Sequence, residues 1–357
     1  MRLVTGGIEA PRGRSLKARR ASLDRIAAPW LGALLSEPRG SPDTTVAVLT
    51  EPDRPEAHAG VLLLRRESAP PFSGHALMAV AALATNRGLI TTAAGPRGPV
   101  VLETVTGPVE VDVEPAPLAG GAARVRYVSR SAWVIAGGVE VVVEKRRVLV
   151  DVVCCDEFPM VLVDAESAGV GLSEAARPAL QRVARDLMAA VSSTFGPAPD
   201  TLDGAVRHGR VPLSPAPKGR AANRHPIVSG VVFTCPDETG QADLRTCAIW
   251  EDGTMDRSPS GRAAAGIVAL LDELRFVPEE RALVLRGPAG GTFEVRIAGR
   301  ETLGDAAPRQ PGEPLALAPA TGRGVRVEVS GTVWPTGDHT FVIDPADPLS
   351  GVGAAQR

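Results

Sequence analysis

Ser73-Gly74-His75-Ala76-Leu77-Met78-Ala79-Val80-Ala81-Ala82-Leu83-Ala84 opens on a residue that favours helix starts and then runs about three helical turns with hardly a polar side chain. A helix that is apolar on every side cannot lie on a surface, so this one belongs in the centre of a domain. Ser260-Gly261-Arg262-Ala263-Ala264-Ala265-Gly266-Ile267-Val268-Ala269-Leu270-Leu271 repeats the pattern: Ser-Gly, a long polar residue, alanine, then an apolar body. Two such helices in one chain indicate a duplicated unit with one buried helix in each half.

Around them the sequence reads as strands. β-branched or alternating runs occur at Thr45 to Leu49, Val61 to Leu64, Val100 to Val105, Val109 to Val113, Val139 to Val143, Val148 to Val153, Met160 to Val163, Ile227 to Phe233, Ala282 to Leu285, Phe293 to Ile297 and Val325 to Val329. Helical length and spacing appear at Ser15 to Ser36, Ser73 to Arg87, Ser173 to Ser192 and Ser260 to Arg275, the first and third with an amphipathic pattern. The 32 prolines and 38 glycines keep the periodic stretches short. The fold class expected is α/β or α+β, strand-rich.

Composition removes several functions. The chain has 357 residues, room for two ordinary domains, and its 44% apolar and 22% charged residues are those of a globular protein. With 39 basic against 41 acidic residues, no global positive field is available for nucleic acid or an anionic membrane. Lysine occurs only at Lys17, Lys145 and Lys218, and the many arginines are scattered, which marks a coding bias rather than an anion site. Cys154, Cys155, Cys235 and Cys247 form no zinc spacing and suit a reducing compartment. The N-terminal Met1 to Arg14 has no apolar signal core, and no run of about 18 apolar residues exists, so a cytoplasmic location is expected. No dinucleotide, phosphate-loop or HExxH pattern appears, and the residue types require no metal, pyridoxal phosphate or nucleotide cofactor.

Taken singly, Ser73 and Ser260 read as N-caps. Taken as a pair, the two helix starts would offer backbone N–H groups and positive dipole ends to a carboxylate.

Phe72-Ser73-Gly74-His75-Ala76, Met255-Asp256-Arg257-Ser258-Pro259-Ser260-Gly261 and Ser36-Glu37-Pro38-Arg39-Gly40 resemble the proline racemase family, which includes hydroxyproline epimerases and trans-3-hydroxy-L-proline dehydratases. Supporting segments lie in order along the chain: Thr5-Gly6-Gly7, Leu162-Val163-Asp164-Ala165, Ala242-Asp243-Leu244-Arg245, Thr336-Gly337-Asp338-His339-Thr340-Phe341 and Asp347-Pro348-Leu349. The resemblance implies a diaminopimelate-epimerase-like fold, with two pseudo-symmetric lobes that each wrap strands around a central apolar helix and an active site in the cleft between them. On this plan residues 1–127 with 331–357 form the first lobe and 128–330 the second. It also implies a small imino or amino acid as the partner molecule, no cofactor, and a homodimer as the form common in the family.

Carried over by residue, Ser73 and Ser260 occupy the two positions where the family has catalytic thiols. The resemblance assigns His75 as an orienting group or base, Gly74 and Gly261 to the carboxylate, Asp256 to the substrate nitrogen and Trp250 to an aromatic wall of the site. After Ser260 the family's usual Gly-x-Gly becomes Gly261-Arg262-Ala263, so Arg262 stands beside the implied carboxylate site and reads either as a solvated residue at a helix start or as a second carboxylate clamp. The family's opening His-Thr-x-Gly-Glu-Pro is altered to Val4-Thr5-Gly6-Gly7-Ile8-Glu9-Ala10-Pro11, and its Tyr-Gly-Gly is replaced by Cys154-Cys155-Asp156. Cys154 and Cys155 read as buried strand residues, and Thr336 and His339 as structural.

A serine hydroxyl is a weak base without an activating neighbour, so two-base racemisation is disfavoured. Dehydration of a 3-hydroxyproline needs a single α-proton removed and survives the loss of one thiol. The leading expectation is therefore a dehydratase-like enzyme. A non-catalytic imino-acid-binding paralogue and a divergent epimerase or isomerase on another amino-acid-derived substrate are the alternatives.

Overall fold

A computed structural model describes residues 1–41, 43–65, 72–92, 98–114, 121–156, 158–195, 228–278, 281–304, 319–344 and 346. Ile227 and the Asp347-Pro348-Leu349 segment of the sequence reading lie outside these residues. The described residues fall into two compact units, one from Met1–Tyr127 and Thr332–Arg357, the other from Val128–His208 and Pro217–Gly331.

In the first unit the strands β1 (Arg2–Val4), β2 (Val46–Thr50), β3 (Ala59–Leu64), β4 (Val100–Thr104), β5 (Gly107–Glu114) and β6 (Ala123–Val128) are neighbours in that order. The β1–β2 and β3–β4 pairs are parallel and the others antiparallel. Helix α1 (Leu16–Leu35) starts at Ser15, whose Oγ accepts from the Ala18 N–H at 3.2 Å. Its Leu16, Leu23, Ala27, Trp30 and Leu34 join Val46, Val48, Leu62 and Leu64 in one core. Successive strand residues alternate in direction, which sends Val61 and Leu63, also buried, to the opposite face. Helix α2 (Gly74–Asn86) packs on β4 and β5.

The inner side of α1 is not purely apolar, although an amphipathic pattern was the expectation. It carries two buried arginines. Arg20 Nη1 donates to the Leu63 carbonyl at 2.7 Å, and Arg19 Nη2 donates to the Glu51 carbonyl at 2.7 Å and to the Asp53 carboxylate. These guanidinium groups tie the helix to the sheet, so at least part of the arginine content has a structural use.

In the second unit, β7 (Ala132–Val143), β8 (Arg146–Cys155), β9 (Phe158–Asp164), β10 (Gly230–Pro236), β11 (Leu244–Trp250), β12 (Leu283–Arg286), β13 (Thr292–Thr302) and β14 (Arg323–Val333) follow one another. The order passes from β7 through β8 and β9 to β14, and β14 pairs back to β7 through Val325 and Ala132, closing the strands into a ring. Flanking bonds support the closure: Ser129 N–H to the Val327 carbonyl at 2.7 Å, Val327 N–H to Ser129 Oγ at 3.0 Å, and Ala320 N–H to the Val134 carbonyl at 2.8 Å. Helix α4 (Gly261–Glu273) is buried along its body and packs on β7, β8, β9 and β13. The approach is close, since a methyl group at Gly266 would lie 2.7 Å from Val153. Helix α3 (Arg177–Phe195) covers the other face, where Leu180, Val183, Leu187 and Val191 meet Val152, Cys154, Val161 and Phe233.

The four expected helices are present, the third preceded by a short 3-10 turn at Glu174–Ala176. Strands β1, β6 and β11 were not expected. β6 had a legible signal, because Ala123, Val125 and Tyr127 are buried and alternate with the exposed Arg124 and Arg126. β11, with the sequence LRTCAIW, lacks a β-branched run and is recognisable only by its partners. No helix among the described residues is long and apolar enough to cross a membrane.

Candidate active site

The head of α2 is built by its cap. Ser73 has an extended backbone (φ −152°, ψ 109°), and its Oγ accepts from the Ala76 N–H at 3.4 Å. Gly74 follows, buried, and must be glycine for space: a Cβ there would stand 2.0 Å from the hydroxyl oxygen of Tyr127. Tyr127, the single tyrosine of the chain, is 3% exposed on β6 and meets Phe72 edge-on, with ring centroids 6.4 Å apart. His75 is half-buried on the first turn. The structure thus groups Ser73, Gly74 and His75 with Phe72 and Tyr127. Tyr127 escaped the sequence reading because its strand did.

The head of α4 has the same start and a different arrangement. Ser260 is 8% exposed and extended (φ −83°, ψ 134°), yet its side chain makes no capping bond. The first-turn N–H groups of α4, beginning at the buried Gly261, therefore carry the helix's positive end without a hydroxyl laid across them. Arg262 is half-buried, with its guanidinium carbon 3.7 Å from the centroid of the Phe158 ring, a cation–π stack.

Beside this stack lies Cys154-Cys155-Asp156. Cys155 is wholly buried, and that burial pushes its thiol up to about 12 against the opposing pull of the Arg262 charge; Asp156 raises it further and Arg130 lowers it. Asp156 has a left-handed backbone (φ 55°), a conformation that costs a non-glycine residue, and pairs with Arg130 at 3.2 Å. Cys154 faces the α3 side of the sheet, as a buried strand residue.

Asp256 is 8% exposed, and its Oδ2 accepts the indole N–H of Trp250 at 2.9 Å. A tight turn makes the contact: Trp250 N–H bonds to the Thr254 carbonyl and Asp256 N–H to the Ala248 carbonyl, each at 2.9 Å. The following loop is anchored by Arg257, whose Nε donates to Glu174 at 2.7 Å and whose carbonyl accepts from Ala289 N–H at 2.9 Å. Cys247, behind Asp256, is also pushed up to about 12, first by burial and then by that carboxylate. Trp250 and Asp256 are thus in direct contact, ten and four residues before Ser260 and on its unit. His339 belongs to the first unit and lies near Phe341, with ring centroids 6.2 Å apart.

Strands wound about a buried helix, with a Ser-Gly helix start and an acidic turn before the second one, define an α/β fold of the epimerase type. The chain belongs to the proline racemase family: the sequence profile of the family described as proline racemase matches residues 1–208 and 215–352. Among curated relatives, the trans-L-3-hydroxyproline dehydratase of Xenopus tropicalis is 27% identical over 356 residues, 98% of this chain and 90% of that protein. The trans-3-hydroxy-L-proline dehydratase of Burkholderia cenocepacia (strain HI2424) is 25% identical over 349 residues, covering 98% and 92%. A solved structure of a probable proline racemase from Agrobacterium radiobacter K84 has a TM-score of 0.70 at 20% identity, covering 98% of this chain and 91% of that one. A hydroxyproline epimerase from Agrobacterium vitis, solved with bound trans-4-hydroxy-L-proline, has a TM-score of 0.69 at 21% identity, covering 98% and 89%. The two solved structures bear out the fold class.

Proposed function

We propose that this protein is a cofactor-independent dehydratase of trans-3-hydroxy-L-proline or a closely similar imino acid. The observation that carries the reading is the inequality of the two helix heads. Inversion by two bases needs a proton carrier of comparable strength on each side of the α-carbon. Here Ser73 accepts a cap bond and Ser260 does not, and both are serines. Elimination needs one proton acceptor only. The names of the relatives at 25 to 27% identity support the same chemistry.

In this reading the carboxylate of the substrate sits on the N–H groups that open α4 at Gly261, and the positive charge of Arg262, held on Phe158, adds to them. Asp256 takes the ring nitrogen. His75 is the proton acceptor, because imidazole titrates near neutrality whereas a serine hydroxyl does not, with Ser73 beside it. When the α-proton leaves, its electron pair forms the Cα–Cβ double bond and the β-hydroxyl departs with a proton as water. The resulting enamine tautomerises to the cyclic imine, with no change in oxidation balance and no second reactant. The four cysteines, none of them in a disulfide, suit a reducing compartment and support a cytoplasmic enzyme.

The test is incubation with L-proline, trans-4-hydroxy-L-proline and trans-3-hydroxy-L-proline in deuterated water, followed by NMR. Loss of the 3-hydroxyl from the third compound alone is the expected result, and exchange with inversion at the α-carbon would overturn it. The absence of a thiol at both helix heads favours a second reading, an imino-acid-binding protein without turnover. Binding with no exchange selects that reading.

A further inference from the structure

We infer that Trp250 is a positioning residue, whose indole N–H sets the direction in which Asp256 meets the substrate nitrogen, and that Gly230 keeps the indole in place. The inference rests on the proposed imino-acid chemistry, in which Asp256 binds that nitrogen. It differs from the wall role that the family resemblance gives Trp250, because a wall needs a ring and this role needs a donor.

Three observations lead to it. The Asp256 carboxylate is nearly removed from water, and its Oδ2 receives the indole N–H at 2.9 Å. A donor on one oxygen of a carboxylate fixes the rotation of the whole plane, and with it the direction of the second oxygen. The two residues are joined by a turn whose backbone bonds, Trp250 N–H to Thr254 and Asp256 N–H to Ala248, leave little freedom between them. Finally, Trp250 is the strand partner of Gly230, and a Cβ at Gly230 would lie 2.8 Å from indole Cε3 and 2.8 Å from the Ile249 carbonyl oxygen, so the glycine lets both the indole and its strand come close. The missing side chain at Gly230 is the space that the indole occupies. Indole, carboxylate and glycine form one device, assembled wholly within the second unit.

The experiment is calorimetric binding of two ligands, L-proline and tetrahydrofuran-2-carboxylate, which share the ring and the carboxylate but carry a protonated nitrogen and a neutral oxygen respectively. Trp250→Phe keeps an aromatic ring and removes the donor. The expected result is about a tenfold loss of affinity for L-proline, the scale of a hydrogen bond to a charged group, with the affinity for the oxygen analogue unchanged. Gly230→Ala, whose methyl presses on the indole and on the strand backbone at Ile249, should weaken L-proline more than the oxygen analogue. Equal loss for both ligands in Trp250→Phe would show a wall, and no loss would show a passive contact; either result overturns the positioning role and leaves the proposed function standing. Failure of the unaltered protein to bind L-proline, trans-4-hydroxy-L-proline or trans-3-hydroxy-L-proline overturns the proposed substrate class, and this assignment with it.

Discussion

The helix heads at Ser73 and Ser260 begin with the same two residues and make opposite use of the first. On α2 the hydroxyl caps the helix, and a tyrosine closes over the glycine that follows. On α4 the hydroxyl leaves the helix end uncapped, and an arginine stacked on Phe158 stands next to it. A duplicated motif has thus become a structural start in one unit and an electrostatic one in the other. The lesson is that a repeated sequence fixes the backbone turn but leaves the use of its polar atoms to the neighbours supplied by each sheet.

The sharpest way to break this comparison is through activity. His75→Ala should lower α-proton loss from trans-3-hydroxy-L-proline by about a hundredfold or more, the usual worth of a positioned acid or base, measured by single-turnover NMR in deuterated water. An unchanged rate would move the chemistry to the α4 side. Next in size is Gly74→Ala. The added methyl meets the Tyr127 hydroxyl, and the overpacking should cost about 1–3 kcal/mol in denaturant unfolding. Tyr127→Ala in the same chain should recover part of that cost; a simple sum of the two losses would show that the contact is not the cause.

A smaller effect separates the serines directly. Ser73→Ala should cost about 1 kcal/mol of stability as a lost cap, and Ser260→Ala close to nothing. Equal costs would erase the distinction drawn here. The smallest effect is on pH. Cys155 keeps its proton in the folded chain up to about 12, while the unfolded thiol releases it near 9.0. Its contribution is therefore constant well below pH 9 and falls as the pH rises through that value, since the unfolded state then binds fewer protons. Urea unfolding at pH 7.5 and 9 should show a small drop that Cys155→Ala lessens.

The two apolar helices were legible because nothing but burial explains their composition. The helix starts contiguous with them, at Ser73-Gly74 and Ser260-Gly261, were legible because serine is favoured at a helix start. What stayed hidden depended on contacts across sequence. Tyr127 reaches Gly74 from a strand that was itself overlooked. The stack of Arg262 on Phe158 joins segments with no shared pattern. Trp250 and Asp256 are close in sequence, yet the indole bond depends on a turn and on the empty side of Gly230, which no spacing rule contains. Arg19 and Arg20 were hidden differently: charge suggests the surface, and only the facing carbonyl groups and Asp53 explain their burial.

The ring of the second unit closes where Val327 meets Ser129, residues 198 apart in the chain. Helix α4 lies between these two in sequence and is enclosed once they meet. The last closure is thus a long loop that must be drawn together before most of its contacts repay the cost, which makes this unit a slow folder by topology. The same seam rests on one strand bridge and a few flanking bonds, so it is where the ring would first part. Backbone amides of α4 should exchange with solvent hydrogen at the rate at which that seam opens, long after those of the exposed strand ends have done so.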